Sequence, residues 1–235
     1  EFKQKMIESA ELPKTAQPSI GRFVEVYDEL GKNGDSVISI QMMRSISGTV
    51  DAARQAADIT ETNVTVVDSD FTSRSMGMIV KEAAKAAQEG KTVEEILEIV
   101  EDAKKRTTLY LTVVNLDNLI KGGRISQLMG MFSNLLNIKL FLQVINGKIE
   151  IIQKGRGLKS LQKKYDEIFE QMKAAPNGIQ EIGIMHAGLS DFNEGNIARV
   201  RELFPDVPLT IVTTSPIIMS HTGVDAMAIT YLENK

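Results

Sequence analysis

Two kinds of hydrophobic pattern follow each other along this chain, short unbroken apolar runs and segments with regularly spaced apolar residues. Apolar runs at 36–42 and 64–69 predict buried strands, because a short unbroken run between polar segments is typical of a strand covered on both faces. After each run, apolar residues recur every three or four positions, which predicts a helix. Strands that alternate with helices in this way predict an α/β fold with a largely parallel sheet.

The helices of the first half have recognisable ends. The first is expected to run from the Ser47 junction to about Asp58, and a capping box of Thr92 and Glu95 begins the third. The second helix is expected to end at Gly90. Its buried face is expected to contain Met76, Ile79, Val80, Ala83 and Ala87.

A change of pattern after residue 106 marks the predicted domain boundary. Charged residues give way there to the apolar run 108–114. We therefore expect an N-terminal α/β domain at 1–106 and a C-terminal α/β domain at 107–235.

The second half repeats the alternation of strands and helices. Gly122 and Gly123 predict the end of a short helix, and Asn146 with Gly147 predicts the tight primed turn of a hairpin. An amphipathic helix is expected after Gly157, and apolar strands with one helix between them complete the pattern.

A segment rich in Met and Leu interrupts this pattern. Its apolar residues recur at helical spacing and are Leu128, Met129, Phe132, Leu135 and Leu136. Two interpretations stay open: these side chains pack in a core, or they line an adaptable apolar tunnel.

Composition limits the classes of function that fit this chain. With 43% hydrophobic and 25% charged residues among 235, it is typical of a soluble globular protein. A net charge of -4 gives no broad basic field for nucleic acid, and no apolar run approaches the ~20 residues that span a bilayer. The absence of Cys excludes disulfides and thiolate zinc sites, and we expect a cytoplasmic location.

Polar residues at the ends of elements are the candidate site. Ser47, Gly48 and Thr49 follow a strand and begin a helix, where unpaired N–H groups and the positive end of the helix dipole favour an anion. An ordinary helix cap explains the same residues equally well. His221 and Thr222 are expected in a loop between two strands, where both can donate hydrogen bonds to an oxyanion.

Three further stretches offer polar groups with less support. Thr15 and Gln17 precede Pro18, which predicts an extended polar turn, although a helix with Pro18 in its first turn also fits. Arg124 follows two glycines and is either an anion ligand or a solvated residue beyond a helix end. His186, alone at the end of an apolar strand, is more typical of a structural residue.

These polar stretches occur in a specific order. TAQPS (15–19), SISGTVDAA (45–53), VVDS (66–69), SMG (75–77), LIKGGRIS (119–126), LLNIK (135–139), NGKI (146–149) and SHTG (220–223) extend over nearly the whole chain. In this order they resemble the DegV family of fatty-acid-binding proteins. The resemblance implies two α/β domains that hold one long-chain fatty acid in a tunnel, with its carboxylate at the domain interface.

The resemblance also implies roles for single residues. It implies that the carboxylate ligands are Thr15, Ser47, Gly48, Thr49, His221 and Thr222. Arg124 matches the arginine of the family's GGRIS motif and would face a kinase or the domain interface. The chain would then be a lipid-binding carrier without catalysis or cofactor of its own, and it would present the carboxylate to a separate ATP-dependent bacterial fatty-acid kinase.

The chain also departs from the family pattern. Ala16 stands where a second Ser is common, Met43 and Arg44 replace a serine pair, and Leu140 replaces a Pro. Arg44 is expected either to add a charge partner near the site or to project into solvent. The family's first strand and early Asp-Ser stretch are missing before Glu1, so the chain is expected to be N-terminally incomplete.

A second class of function stays open from the residues alone. A phosphotransferase or hydrolase could bind a small phosphorylated metabolite at the helix that begins near Ser47. The sequence contains no P-loop, no Gly-x-Gly-x-x-Gly, no Gly-x-Ser-x-Gly and no metal-ligand spacing, which argues against this alternative. A pure interaction module with a filled core is the third possibility.

Overall fold

The computed structural model describes residues 1–124 and 137–235. The helix predicted to carry Leu128 to Leu136 lies outside the described residues. In chain order the described elements are α1 (Phe2–Glu8), α2 (Ile20–Gly31), β1 (Val37–Gln41), α3 (Thr49–Ala57), β2 (Val64–Asp68), α4 (Ser73–Gln88), α5 (Val93–Arg106), β3 (Thr107–Val113), α6 (Asp117–Lys121), β4 (Ile138–Ile145), β5 (Lys148–Arg156), α7 (Leu158–Lys173), β6 (Ile179–His186), α8 (Asp191–Leu203), β7 (Leu209–Thr213), α9 (Pro216–Thr222) and β8 (Met227–Glu233).

These elements form two compact units with mixed α/β structure. Unit 1 consists of residues 1–15, 108–144 and 149–235, and unit 2 of residues 16–107 and 145–148. This division differs from the predicted domains, 1–106 and 107–235, chiefly because the first fifteen residues belong to unit 1; residues 107 and 145–148 also belong to unit 2. The membership of the first fifteen residues depends on tertiary packing of α1, which periodicity along the chain does not report.

Unit 2 is built on a parallel pair of strands. β1 and β2 pair in register from Val37 with Val64 to Gln41 with Asp68, as the α/β pattern predicts. The prediction that both strands are buried is wrong, because most of their residues are half-buried. In the part of the chain that the structure describes, this sheet has only two strands, so each strand has one edge without a neighbour.

The helices of unit 2 follow their local signals at the ends. α3 ends at Ala57, next to the predicted Asp58. The capping box of α5 is complete: the Thr92 N–H donates to Glu95 Oε2 at 2.8 Å, and the Glu95 N–H donates to Thr92 Oγ1 at 3.3 Å. These ends depend on groups within four residues of each other, which is why the sequence predicts them well.

The buried face of α4 differs from the predicted face. The helix ends before Gly90, which has a φ of 77°, as predicted. Val80 and Ala87 are exposed, however, whereas Met78 and Ala86 are buried. The many alanines of α4 make two of its faces similarly apolar, so the helical period alone does not select the face that packs against α5.

Unit 1 contains a six-stranded sheet in the order β5-β4-β3-β8-β6-β7. β6 and β7 are parallel and are connected through α8. β3 pairs antiparallel with β4, and β6 pairs antiparallel with β8. The prediction of a largely parallel sheet is therefore wrong for unit 1, because a hairpin and the closing strand β8 join the same sheet as the parallel pair.

The hairpin between β4 and β5 has the predicted turn. Asn146 and Gly147 both have positive φ, 49° and 69°. Two successive residues with positive φ are the mark of a type I′ turn, whose twist matches that of the flanking strands. The Asn-Gly pair therefore fixes the register of this hairpin.

An aromatic-rich helix, α7, packs in the main core of unit 1. Helical spacing after Gly157 predicts an apolar face of six residues, and five of them are buried: Leu161, Tyr165, Ile168, Phe169 and Met172. The sixth, Leu158, is 44% exposed at the first turn of the helix. The Tyr165 ring meets Phe141 of β4 edge-on, with the ring centroids 4.9 Å apart.

The Tyr165 hydroxyl provides a test of this core. It lies 2.7 Å from Thr112 Oγ1, and both side chains are almost fully buried. Tyr165→Phe leaves the Thr112 hydroxyl without that partner and is expected to lower the free energy of unfolding by about 1–3 kcal/mol. Urea unfolding followed by circular dichroism measures the change.

The double variant Tyr165→Phe/Thr112→Val is the matched control. It removes both polar groups and is expected to recover most of the lost stability, because no buried hydroxyl is then left unpaired. A double variant less stable than Tyr165→Phe alone would contradict this account of the pair.

Candidate functional site

Thr15 and His221 form the centre of the candidate site in unit 1. Thr15 Oγ1 lies 2.8 Å from His221 Nε2, although 206 positions separate the two residues in the chain. Both side chains are half-buried. The structure therefore brings together two of the residues that the sequence motifs predict, TAQPS and SHTG.

His221 and Thr222 lie in the last turn of α9, so the prediction that they lie in a loop is wrong. Ser215 caps the helix by accepting a hydrogen bond from the Ile218 N–H, and Pro216 occupies its first turn. A cap of this kind, followed by Pro and closed by a glycine, is a helix signal that the sequence contains. The helix fixes the direction of the His221 ring more firmly than a loop would.

Thr222 is bound within its own helix. Its hydroxyl donates to the Ile218 carbonyl at 3.1 Å, and the side chain is 7% exposed. The proton of this hydroxyl is therefore engaged, and Thr222 can donate to another group only by giving up its bond to the Ile218 carbonyl. Its predicted contact with a carboxylate stays a prediction.

The ring of His221 packs against the turn that follows α6. His221 Nδ1 is buried and has no hydrogen-bond partner among the described residues. Burial lowers the pKa of His221 below its ordinary value, and the positive charge of Arg124 lowers this pKa further. The imidazole is therefore neutral at pH 7 and has one N–H donor and one acceptor nitrogen.

Arg124 is exposed, and its side chain contacts the backbone at the end of α6. Its Nη1 donates to the Gly122 carbonyl at 2.8 Å. Gly122 and Gly123 follow the last residue of α6, as the sequence predicts, and Gly123 has a φ of 69°. The guanidinium thus lies close enough to His221 for its charge to act on the pKa of the imidazole.

Asn118 of α6 is a residue of this site that the sequence did not indicate. Its Nδ2 donates to the Ser220 carbonyl at 3.1 Å and contacts Met6 Sδ at 3.6 Å. The side chain thereby connects α6 with the turn of α9 that carries His221. A lone Asn in a short helix gives no distinctive pattern, which is why only the structure identifies it.

Ser47, Gly48 and Thr49 form a second group, in unit 2. Gly48, not Ser47, is the N-cap of α3, and it makes no side-chain cap. Ser47 Oγ lies 2.8 Å from Thr49 Oγ1 and accepts a hydrogen bond from the Thr49 N–H at 3.3 Å. An ordinary capping role for Ser47, with a bond to the second or third helical N–H, is therefore not what the structure shows.

The Gln17 side chain lies against Gly48. A Cβ on Gly48 would stand 2.2 Å from Gln17 Oε1, so any larger residue here would displace the end of the Gln17 side chain. Residues 12–18 have no regular structure, and α2 begins after Ser19, whose hydroxyl accepts a hydrogen bond from the Arg22 N–H. The alternative prediction, a helix with Pro18 in its first turn, is therefore wrong, and the extended turn stays a prediction.

Arg44 has a partner in unit 2. Its Nε donates to Asp51 Oδ2 at 3.0 Å, and its backbone N–H donates to Asp68 Oδ2 at 3.1 Å. The side chain is 65% exposed. Arg44 therefore neutralises an acidic residue in the first turn of α3 and also borders solvent.

His186 stands at a different place in unit 1, the carboxyl end of β6. It is 8% exposed, and no partner for its Nδ1 exists among the described residues. Burial lowers the pKa of His186 first, and the charge of Lys3 lowers it further. The structure does not join His186 to the pair formed by Thr15 and His221.

The described residues contain neither a metal cluster nor a membrane-spanning helix. No group of three or more His, Asp or Glu side chains there could hold a metal ion. No helix of residues 1–124 and 137–235 combines the length and the apolar character that crossing a membrane requires.

Comparison with known proteins identifies the family. A family model described as "Uncharacterised protein, DegV family" matches residues 1–234. A DegV domain-containing protein of Streptococcus pneumoniae is 42% identical over 228 residues, which cover 97% of this chain and 81% of the relative. A DegV domain-containing protein of Listeria innocua is 40% identical over 232 residues, which cover 98% of this chain and 82% of the relative.

Solved structures share the fold. DegV from Bacillus subtilis, described as a fatty acid binding protein, has a TM-score of 0.87 at 28% identity, over 99% of this chain and 83% of that one. A DegV family protein from Thermus thermophilus, whose structure describes fatty acid binding, has a TM-score of 0.84 at 30% identity, over 98% and 82% of the two chains.

A third structure is the B3 protein of fatty acid kinase from Streptococcus pneumoniae, loaded with linoleic acid. Its TM-score is 0.81 at 25% identity, over 99% of this chain and 83% of that one. The mixed α/β structure with two sheets is thus the fold of these proteins. A family model that matches almost the whole chain, together with curated relatives at 40% and 42% identity, shows that this chain belongs to the DegV family.

Proposed function

We propose that this protein binds one long-chain fatty acid. The residues that we propose as carboxylate ligands are Thr15, Ser47, Gly48, Thr49, His221 and Thr222. The observation that carries the proposal is the 2.8 Å contact between Thr15 Oγ1 and His221 Nε2. The fatty acid binding described for DegV proteins of Bacillus subtilis and Thermus thermophilus supports the class of ligand.

The chemistry of this pair suits a carboxylate. A buried carboxylate must be hydrogen-bonded, and bonds to an ionised group are roughly twice as strong as bonds between neutral groups. Thr15 and a neutral His221 share one neutral hydrogen bond. A carboxylate oxygen between them would exchange it for two charge-assisted bonds, one from each donor.

The acyl chain would supply most of the affinity. Each buried methylene contributes roughly 0.8 kcal/mol, so a chain of many methylenes outweighs a few hydrogen bonds. The polar residues would then select an acid and fix its orientation.

We further propose that the protein is a carrier without catalysis of its own and that it presents the carboxylate to a separate ATP-dependent fatty-acid kinase. The structural neighbour named as the B3 protein of a fatty acid kinase supports this partner. Arg124 is exposed, always charged and close to His221, so we assign it to recognition of the kinase.

The first prediction from the proposed function concerns the bound ligand. Organic extraction of the purified protein, followed by mass spectrometry, is expected to yield about one long-chain fatty acid per chain, because an apolar ligand of this size leaves slowly into water. Protein loaded by incubation with oleic acid serves as the positive control. A loaded sample that retains no fatty acid and instead binds inorganic phosphate would favour the small-metabolite alternative.

The second prediction concerns the carboxylate ligands. Thr15→Val, Ser47→Ala and His221→Ala are each expected to weaken fatty-acid affinity roughly 10- to 100-fold, since each removes one hydrogen bond to a charged group. Titration with a fluorescent fatty acid measures the affinity. Circular dichroism checks that each variant keeps its fold.

Ser45→Ala and Thr213→Val are the matched controls for these variants. Both side chains are exposed, and neither is assigned to the site, so both variants are expected to bind like the wild type. A fatty alcohol of the same length should bind the wild type more weakly than the acid. Unchanged affinity in Thr15→Val, Ser47→Ala and His221→Ala alike would reject the assignment of the ligands.

The third prediction concerns Arg124. Arg124→Ala is expected to leave fatty-acid affinity within about twofold of the wild type but to slow phosphorylation of the bound acid at least tenfold in a reconstituted kinase assay, because it removes one charge contact with the partner. Lys121→Ala, which removes a neighbouring exposed charge, is the control. Equal losses of binding and phosphorylation would place Arg124 at the ligand or in the fold.

A further inference from the structure

Gly122 lies directly against the ring of His221. A Cβ on Gly122 would stand 2.5 Å from His221 Nδ1 and 2.8 Å from the Asn118 carbonyl oxygen. A Cβ carbon essentially never comes closer than 3.0 Å to such an atom, so something would have to move. The backbone of Gly122 has a φ of -73°, an ordinary value for any residue. Space, and not backbone conformation, requires glycine at this position.

The ring is the group that would have to move. The Asn118 carbonyl is held because it accepts the Gly122 N–H at 2.8 Å. The Asn118 side chain is held by its bond to the Ser220 carbonyl, next to His221 in α9. A methyl group on Gly122 would therefore push His221 Nδ1 away, and with it the opposite nitrogen that contacts Thr15.

We propose that Gly122 is a positioning residue of the carboxylate site, because its missing side chain lets the His221 ring lie where Nε2 meets Thr15. The geometric part of this inference stands on the contacts of unit 1 alone. Its consequence for ligand affinity rests on the proposed function.

Gly122 also connects this ring with the proposed kinase-facing arginine. Its carbonyl accepts the hydrogen bond from Arg124 Nη1 at 2.8 Å. One residue thus contacts the imidazole through its Cα and the guanidinium through its oxygen. The sequence indicates Gly122 and Gly123 of the GGR motif as a helix end. In the structure, Gly122 also sets the positions of the His221 imidazole and the Arg124 guanidinium.

Nuclear magnetic resonance of the two histidine rings tests the geometry without any ligand. The chain contains His186 and His221 only, and a His186→Gln variant assigns the two signals. In Gly122→Ala the pKa of His221 is expected to rise toward its ordinary value, because the displaced ring is less buried. In Gly195→Ala, the matched control, it is expected to stay unchanged, since a Cβ on Gly195 of α8 meets no atom within 4 Å. An unchanged His221 titration in Gly122→Ala would overturn the proposal.

A double-mutant cycle covers the case in which Gly122→Ala folds poorly. Gly122→Ala is expected to lower the Tm more in the wild-type background than in a His221→Ala background, where no ring meets the added methyl group. The contact with the Asn118 carbonyl is present in both backgrounds and therefore cancels. An equal fall of the Tm in both would overturn the proposal.

Titration with a fluorescent fatty acid then tests the consequence for binding. Gly122→Ala is expected to weaken affinity about tenfold, close to the effect of Thr15→Val, because both break the same contact. For the same reason, adding Gly122→Ala to Thr15→Val should cost little more. If the double variant instead lost affinity by the product of the two single losses, the two residues would not act through the same contact, and the shared role would be overturned. A wild type that binds no fatty acid would refute the proposed function, whereas the histidine titration would still decide the role of Gly122.

Discussion

The burial of Met6 is the interaction on which the candidate site depends. This side chain is 5% exposed and packs with Ala187, Met219 and Ala226. Removing a Met side chain from water contributes roughly 1.5–3 kcal/mol, which holds the short helix α1 against α9. Because α1 is held there, the irregular segment after it ends beside α9. The hydrogen bond of Thr15 is therefore a consequence of apolar packing nine residues earlier.

Local rules account for what the sequence predicts well about the fold. A capping box, an Asn-Gly turn and a glycine after α4 each involve groups within a few residues of one another, and all three are present. The wrong predictions concern faces and neighbours. Val80 is exposed because another face of α4 packs against α5, and unit 1 has a mixed sheet because β8 lies between β3 and β6. Such outcomes are decided by tertiary partners, which periodicity does not contain.

The residues of the candidate site also fall into two groups, those that the sequence indicates and those that only the structure identifies. The order of the motifs led to Thr15 and His221, and their contact in the structure agrees with a shared role. Asn118 contributes a hydrogen bond to the Ser220 carbonyl, and Gly122 contributes the space that a side chain would otherwise fill. No spacing rule in the sequence distinguishes them from ordinary residues of a short helix and its end. His221 was assigned to the wrong kind of element because the helix signal of α9 begins six residues before it.

The three-segment make-up of unit 1 has a consequence for the order of folding. The main segment of unit 2, residues 16–107, is continuous, so most of its core contacts join residues that are close in the sequence. Thr15 instead bonds to His221, which is 206 residues later in the chain. Synthesis of those residues takes about ten to forty seconds at ribosomal speeds. During that interval the apolar side of α1 has no α9 to cover it. Because a seven-residue helix is not stable without its packing partner, a nascent chain of this protein exposes the apolar side chains of residues 2–8 as an unpacked segment, and chaperones bind exposed apolar surface of this kind.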